Sequence, residues 1–373
     1  MRFRCDRDIL VETAGAAARA VSTRGLGSPA LGGIRLEVRG ESLHVTGTDL
    51  DLTIEATCTV GDAADGTVLV PSRLFVDITR SLEPGMLRVD QKDEDIEIVG
   101  SRAQFVIRTI VHTDFPVQPP TPQQGTTVAA AELAGAINQV VRAASSDDAR
   151  PLLTGVLLGP YEGGIRAVAT DSYRLALRDV PGLKGMTDDK MILVPARALV
   201  ELQRIITSAA APDQNGEAAV VVTVGEHDAS FTVGTTRLVT RLLDGTFPDY
   251  SQLIPASYPN RLQIDKETLV SSLRRVRLLL RDATTPVRMA MEREGTSLSV
   301  ISHDLGSAHE DLDAAYEGNP LTIAFNPAYL LDGIEGVIGD DVVIETVDTT
   351  KPATIRAPDR TDFQYLLMPV RVS

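Results

Sequence analysis

Aromatic residues are scarce in this 373-residue chain: tryptophan is absent, and the aromatic content is only 4%. The cores are therefore expected to be aliphatic, and a hydrophobic content of 43% is enough to build them. Two cysteines, Cys5 and Cys58, are too few for a disulfide framework or a zinc site. No stretch approaches the ~20 apolar residues of a membrane span, and acidic residues interrupt the amino-terminal MRFRCDRDILVETAG, where a signal peptide needs an apolar run. We expect a cytoplasmic protein with no metal and no cofactor.

Catalytic motifs are also missing. The sequence has no GxxxxGK[ST] loop, no GxGxxG after a strand and no HExxH among its five histidines. Asp49, Asp171 and Asp304 each follow a strand-like run, but they stand at equivalent positions of a repeat and cannot converge on one reaction centre. An aspartate that forms the turn after a strand is the better interpretation. The sequence thus predicts no catalytic residues and a protein that is not an enzyme.

What the chain does contain is a repeat. Three segments begin alike, with VPSRL at 70–74, VPARA at 194–198 and FNPAY at 325–329, and the aspartates recur in the same order. The spacing is roughly 125 residues at separate landmarks, which indicates a triplicated domain. The predicted domains are 1–120, 121–255 and 256–373. The intervening TDFPVQPPTPQQGTTV and DGTFPDYSQLIPASYPNRL read as linkers.

Each copy divides again into two similar halves. The apolar periodicity of each half predicts a strand, a helix and three more strands, so the whole chain has six helices and about 24 strands. The fold class is therefore α+β, with antiparallel sheets that are packed on one face. Repeats of this kind build an extended or curved surface, and a chain with two different ends favours head-to-tail association that closes into a ring.

The charge distribution separates the helices from the remainder. The net charge is −15, which argues against a simple phosphate-coating protein, yet the six helical segments are close to neutral in total. Arg73 and Arg80 lie two turns apart and share a helix face, as do Arg197 and Arg204. Basic residues gathered on one face would not exclude nucleic-acid binding; a solvated charged face is the alternative.

Five motifs, in order, resemble one family. VPSRLFVDITRSL, TDSYRLALRD, TRLLDGTFPDYSQLIP, LTIAFNPAYLLDG and YLLMPVRVS are similar to segments of the bacterial DNA polymerase III β subunit, the sliding clamp, over essentially the full length. The RDATTPVR run resembles actinobacterial members. The resemblance implies three clamp domains that form half of a ring, and a homodimer that encircles double-stranded DNA without sequence preference. It also implies a non-catalytic processivity factor with no membrane association.

The resemblance further implies a groove that binds peptide tails of the polymerase III α subunit, the clamp loader, and other DNA polymerases and repair proteins. The matching positions are apolar residues suited to a Leu or Phe anchor and polar residues that can orient a peptide. For Leu175 and Leu366, an ordinary place in the core is an equal alternative. The predicted groove residues are Leu153, Thr170, Ser172, Tyr173, Arg174, Leu175, Pro248, Leu253, Asn326, Tyr329, Leu366, Met368, Pro369, Val370 and Arg371.

Two other surfaces follow from the same resemblance. Phe105 and Ile107 match the first-copy edge strand of the dimer interface, and Leu278 and Leu279 match the third-copy helix that meets it. Basic residues near the first pair and acidic residues in the third copy favour head-to-tail pairing. Arg24 and Arg150 match loops that contact DNA; with the helix arginines, the predicted DNA-facing set is Arg24, Arg73, Arg80, Arg150, Arg197 and Arg204.

One departure bears on function. Tyr173 stands where many clamps carry histidine, which leaves the peptide preference of the groove open. Two alternatives therefore remain beside the replication clamp. One is a specialised second clamp copy, such as a variant that evades a clamp-binding inhibitor. The other is a scaffold that binds peptides without encircling DNA.

Overall fold

A strand, a helix and three further strands form a unit that occurs six times in the part of the chain that the structure describes. The computed structural model describes residues 1–21, 28–111, 114–116, 125–187, 189–209, 218–280, 285–302 and 304–371. The first copy comprises β1 (Arg2–Asp6), α1 (Arg7–Ala18), β2 (Gly33–Arg39), β3 (Ser42–Thr48), β4 (Leu52–Thr59) and β5 (Gly61–Ala64), followed by β6 (Gly66–Pro71), α2 (Ser72–Ser81), β7 (Met86–Lys92), β8 (Asp95–Val99) and β9 (Gln104–Arg108).

The second and third copies repeat this order. The second comprises β10 (Thr126–Ala129), α3 (Ala130–Val140), β11 (Gly155–Tyr161), β12 (Gly164–Thr170), β13 (Arg174–Val180), β14 (Ile192–Pro195), α4 (Ala196–Ser208), β15 (Ala219–Val224), β16 (Asp228–Val233) and β17 (Thr236–Arg241). The third comprises β18 (Asn260–Asp265), α5 (Lys266–Val276), β19 (Val287–Glu292), β20 (Gly295–Ser302), β21 (Gly306–Leu312), β22 (Ala315–Glu317), β23 (Leu321–Phe325), α6 (Pro327–Gly336), β24 (Asp341–Thr346), β25 (Ala353–Arg356) and β26 (Phe363–Leu367).

The predicted α+β class and the doubled triplication are confirmed. The two short strands β5 and β22 were not predicted. The apolar spacing predicts a helix over Lys266–Arg281, whereas α5 ends at Val276 and a single 3₁₀ turn, Arg277–Leu279, follows. The position of Pro71 predicts a first helical turn, but Pro71 is the last residue of β6; Pro327 does occupy the first turn of α6.

The first compact unit contains residues 1–131 and 197–242. Its two sheets have the strand orders β5-β1-β7-β8-β9 and β10-β15-β16-β17-β4-β3-β2-β6. The larger sheet joins two sequence repeats through antiparallel pairing of β17 with β4, in which Leu238 is opposite Ile54. The buried residues of β1, β2, β3, α1 and α2 form one aliphatic core with Phe3 and Phe75. Helix α1 packs so closely against β3 that a Cβ at Gly47 would lie 2.0 Å from the Ala17 carbonyl oxygen.

The second compact unit contains residues 132–196 and 243–373. Its sheets have the orders β14-β11-β12-β13-β26-β25-β24-β18-β22 and β21-β20-β19-β23. Here the second and third repeats join through antiparallel pairing of β13 with β26, which places Leu175 opposite Leu366. The second repeat is therefore divided between the two compact units. The domain bounds 1–120, 121–255 and 256–373 describe the sequence repeat and stay a prediction. No helix in the described part of the chain is long and apolar enough to cross a membrane.

Candidate functional site

The turn between β12 and β13 is held by the side chain of Asp171. Its Oδ1 accepts hydrogen bonds from the backbone N–H groups of Tyr173, at 2.9 Å, and Arg174, at 3.0 Å. Ser172 adopts a left-handed conformation, with φ of 80°, and the Tyr173 side chain is 60% exposed. The same turn follows β3 in the first unit, where Asp49 Oδ1 accepts from Leu52 N at 2.8 Å. The turn-forming role predicted for these two aspartates is confirmed.

Arg174 connects this turn to helix α6. Its side chain is 10% exposed, and its Nε lies 3.0 Å from Asp171 Oδ2 while Nη1 lies 2.5 Å from Asp332 Oδ2. The guanidinium carbon lies 4.1 Å from the centre of the Tyr329 ring. Burial alone would lower the pKa of Arg174, but the interactions with Tyr365, Asp332 and Asp171 outweigh burial and raise the pKa above its ordinary value. Arg174 is thus committed to partners within the protein and shapes the surface beside the turn.

The start of α6 supplies the next wall of the site. Asn326 Oδ1 caps the helix, accepting from Ala328 N at 2.9 Å and from Tyr329 N at 3.2 Å. The Tyr365 hydroxyl donates to the carbonyl oxygen of Tyr329 at 2.9 Å. Burial raises the pKa of Tyr329, so its hydroxyl stays protonated near neutral pH. One face of the half-buried Tyr329 ring thus packs against the Arg174 guanidinium.

Buried apolar residues form the floor of this candidate site. Leu175 and Leu366 are 2% and 3% exposed and pack in one cluster with Phe247, so both belong to the core. Leu153 is also buried. Several members of this cluster were not predicted from the sequence, although β11, β12 and β13 are mostly apolar runs of the kind that form buried strands. The cluster contains Leu157, Val168, Leu175, Leu177, Leu193, Phe247 and Leu366, with Leu152, Leu243, Tyr250 and Ile254 packed against it.

Exposed apolar residues lie on chain segments that pack against this buried cluster. Leu253 is 50% exposed in the 3₁₀ turn Ser251–Leu253, and Met368 is 39% exposed directly after β26. Met368 N donates to the Tyr173 carbonyl oxygen at 2.8 Å, which joins the last segment of the chain to the turn. Pro248 is exposed, Pro369 is half-buried and Thr170 is buried. An apolar side chain of a bound peptide can thus be received beside Tyr173 and Met368.

Two further predicted groove residues, Val370 and Arg371, follow Met368 and Pro369 in the chain. Val370 N donates to the Ala324 carbonyl oxygen at 2.8 Å. Val370 and Arg371 line a cavity of about 560 Å³ together with Arg288 and Thr350. The hydrogen bonds and ring contacts around the Asp171 turn bring together Thr170, Ser172, Tyr173, Arg174, Tyr329 and Met368. Their place in the predicted groove, like that of Val370 and Arg371, stays a prediction.

Most of the predicted DNA-facing arginines already have acidic partners. In the first unit, Arg197 Nη1 lies 2.5 Å from Asp49 Oδ2, and Arg204 Nη1 lies 2.7 Å from Glu201 Oε1. Arg73, 96% exposed, lies 3.7 Å from Asp77, while Arg80 is exposed and has no ion-pair partner among the described residues.

In the second unit, Arg150 bonds Asp147 at 3.0 Å and the Ser172 hydroxyl at 3.3 Å, which attaches it to the Asp171 turn. Arg24 lies outside the described residues. The result is a set of partly neutralised arginines, which suits weak contacts with phosphates.

The predicted dimer residues differ in their surroundings. Strand β9 ends a sheet, but Ile107 is 7% exposed and Phe105 packs against the core of its own unit. The exposed apolar side chain of β9 is that of Val106, 60% exposed, which was not predicted from the sequence. Leu278 is 82% exposed, and Leu279 is half-buried. Throughout the described ranges, no group of three or more His, Cys, Asp or Glu side chains could hold a metal ion.

Comparison with known proteins gives the family. Models of the DNA polymerase III beta subunit match residues 1–119 with the N-terminal domain, 127–249 with the central domain and 251–371 with the C-terminal domain. The chain is 31% identical to the beta sliding clamp of Streptomyces coelicolor and 29% identical to that of Pseudomonas aeruginosa, over 100% of each chain. It is similar to the crystal structure of a sliding clamp from Bartonella birtlesii bound to griselimycin, with a TM-score of 0.90 and 29% identity over 100% of both chains. These matches establish that the chain belongs to the DNA polymerase III beta subunit family, the family of the beta sliding clamps.

Proposed function

We propose that two copies of this chain close head to tail into a ring around duplex DNA and tether the replicative polymerase to its template. The observation that carries the proposal is the set of strands left unpaired at sheet edges. Each half-unit ends in a strand that is the outermost of four neighbouring hydrogen-bonded strands, as β17 is in the group β10-β15-β16-β17. In the described residues, β17 pairs with β4 and β13 pairs with β26, whereas β9 and β21 have one neighbour each.

Among the six strands of the described chain that end a half-unit, β9 and β21 are the two without a partner of this kind, and they are complementary by the rule that the other four follow. In both observed pairs, the last strand of a first half-unit meets the last strand of a second half-unit, antiparallel. Strand β9 ends a second half-unit and β21 ends a first half-unit. Pairing of β9 with β21 of another copy would satisfy the free backbone N–H and C=O groups of both edges. Exposed Val106 on β9 and exposed Leu278 after α5 offer apolar contacts for such an interface.

Weak contacts with DNA suffice for a protein that is linked to DNA topologically. A net charge of −15 opposes tight coating of phosphates. Arginines that are already paired with Asp49, Glu201 or Asp147 retain only part of their attraction for a phosphate. Sequence-independent contacts of this strength permit sliding.

The site beside Asp171 is proposed to receive a peptide from each client protein. Its apolar floor and the exposed Leu253 and Met368 suit a Leu or Phe anchor. The clients proposed are the polymerase III α subunit, the clamp loader, and other polymerases and repair proteins. The proposed role is non-catalytic, and the cytoplasmic location remains a prediction.

The test is topological. The chain is loaded by a clamp loader onto a nicked circular plasmid, and the protein that elutes with DNA is measured before and after a restriction enzyme linearises the plasmid. We expect retention on the circle and release from the linear form. Retention that is equal on both forms, or a protein that sediments only as a monomer at micromolar concentration, would contradict encirclement and favour a peptide-binding scaffold.

A specialised copy with altered inhibitor sensitivity is a second candidate, and the exposed Tyr173 favours it. By the family resemblance, Tyr173 stands where many clamps carry histidine, and it is 60% exposed at the Asp171 turn. For such a copy, we expect that griselimycin binds the chain weakly and that Tyr173→His tightens binding. Equal affinity of the two proteins in calorimetry would remove Tyr173 as the basis for this candidate.

A further inference from the structure

The two cysteines of the sequence lie together in the first unit. Cys5, on β1, is 2% exposed, and Cys58, on β4, is half-buried against the same hydrophobic core. Both are free thiols, and the Cys5 and Cys58 side chains interact with each other. The Thr13 hydroxyl also contacts Cys58 and donates to the Ile9 carbonyl oxygen at 2.7 Å. Nothing in the proposed clamp function uses this pair.

Only one of the two thiols reaches open space. A cavity of about 480 Å³ is lined by residues of α1, β4 and the end of α4, and Cys58 is part of its wall. Thr13, Ala16 and Ile205 are neighbouring parts of the lining, and Cys5 is not among the lining residues. A small reagent in the cavity therefore meets Cys58 and not the buried Cys5.

The surroundings of the two thiols shift their pKa values in opposite directions. The interaction with the Cys5 thiol lowers the pKa of Cys58 to about 7, although burial opposes this. The same interaction raises the pKa of Cys5, and burial and the charges of Cys58 and Asp6 raise it further. The thiolate is the nucleophilic form of cysteine, so the accessible sulfur is also the reactive one.

We propose that Cys58 is a modification site for small hydroperoxides and that Cys5 is its resolving thiol. The Cys58 thiolate attacks the terminal oxygen of ROOH; an S–O bond forms, the O–O bond breaks, and RO⁻ takes up a proton and leaves as ROH. The Cys5 sulfur then attacks the Cys58 sulfur; the S–S bond forms, the S–O bond breaks, and hydroxide leaves as water with the Cys5 proton. The two thiols lose two electrons and the peroxide gains them.

The product would link two sheets. Cys5 belongs to the sheet that contains β1, and Cys58 belongs to the sheet that contains β4. A disulfide between them would cross-link both sheets beneath α1, where the helix lies close on β3. The oxidised and reduced proteins would therefore differ in the stability of the first unit.

The experiment uses the full chain. Reduced protein is treated with hydrogen peroxide, free thiols are blocked with iodoacetamide, and the intact mass and peptides are measured. We expect a mass lower by two hydrogen atoms, a peptide that joins Cys5 to Cys58, and recovery of both thiols with dithiothreitol. Full alkylation of both cysteines after peroxide, or oxidation of Cys58 to sulfinic acid while Cys5 stays a thiol, overturns the proposal.

Matched variants assign the two roles. Cys5→Ala should leave Cys58 as a sulfenic acid that dimedone traps, and Cys58→Ser should leave Cys5 unreacted. In the unmodified chain at neutral pH, iodoacetamide should label Cys58 at least about tenfold faster than Cys5. Faster labelling of Cys5 contradicts the assignment, and this measurement does not depend on whether either variant folds.

Discussion

The Arg174 guanidinium lies 2.5 Å from the Asp332 carboxylate and so joins the turn after β12 to helix α6. The two residues belong to different sequence repeats, and the same guanidinium also holds Asp171 and lies against the Tyr329 ring. One buried arginine thus fixes two walls of the proposed groove.

Asp332→Asn should destabilise the chain by about 1–2 kcal/mol, because the substitution leaves the buried Arg174 charge with one carboxylate instead of two. Peptide affinity should fall as well, since the Arg174 guanidinium that lies against Tyr329 is held less firmly. Urea unfolding measures the first effect and fluorescence polarisation the second. Asp62→Asn is the matched control: it removes an exposed ion pair with Arg4 and should change stability by less than about 0.5 kcal/mol. Equal effects of the two substitutions would contradict the role given to Arg174.

Combined Tyr329→Ala and Met368→Ala should weaken binding of a polymerase tail peptide by more than about 1 kcal/mol, because both remove apolar surface beside the turn. Isothermal titration calorimetry with the isolated peptide gives the affinity. Met86→Ala, at an exposed methionine on β7, is the control and should leave affinity unchanged. If the double variant binds as tightly as the parent, the groove lies elsewhere.

Leu278→Asp should weaken self-association at least about tenfold while the thermal midpoint of the subunit stays within a few degrees, because an 82% exposed leucine contributes to an interface and little to its own core. Sedimentation equilibrium across a concentration series measures the dissociation constant. Val111→Asp makes the same change at a position that is 72% exposed. Association that is weakened equally in both variants would indicate a general charge effect.

Arg73→Ala with Arg80→Ala should flatten the salt dependence of DNA binding, with the logarithmic slope falling by about 1 for each phosphate that an arginine no longer neutralises. The effect should be equal on different sequences, since the proposed contacts are with phosphates. The measurement is a salt titration of fluorescent duplexes. Arg360→Ala removes a half-exposed arginine that pairs with Asp362 and should keep the parental slope. An unchanged slope in the double variant would exclude α2 from the DNA-facing surface.

The aspartate turns show how much of the structure local sequence determines. Asp49 and Asp171 end strands at equivalent positions, and the turn geometry follows from a side chain that accepts hydrogen bonds from the next residues along the chain. Leu175 and Leu366 show the limit. Their residue type fits a groove or a core equally well, and only the pairing of β13 with β26 buries them together.

The amino-acid sequence by itself determined the repeat, the strand-helix-strand order of each half-unit and the turns, because these depend on apolar periodicity and on contacts between near neighbours. Tertiary structure alone decided which edge strands meet, which arginines are neutralised and that Cys5 lies against Cys58. Backbone edges are chemically alike, so strand pairing depends on which edges the folded units bring together. The compact units therefore cut through the middle repeat, although the sequence divides cleanly into three.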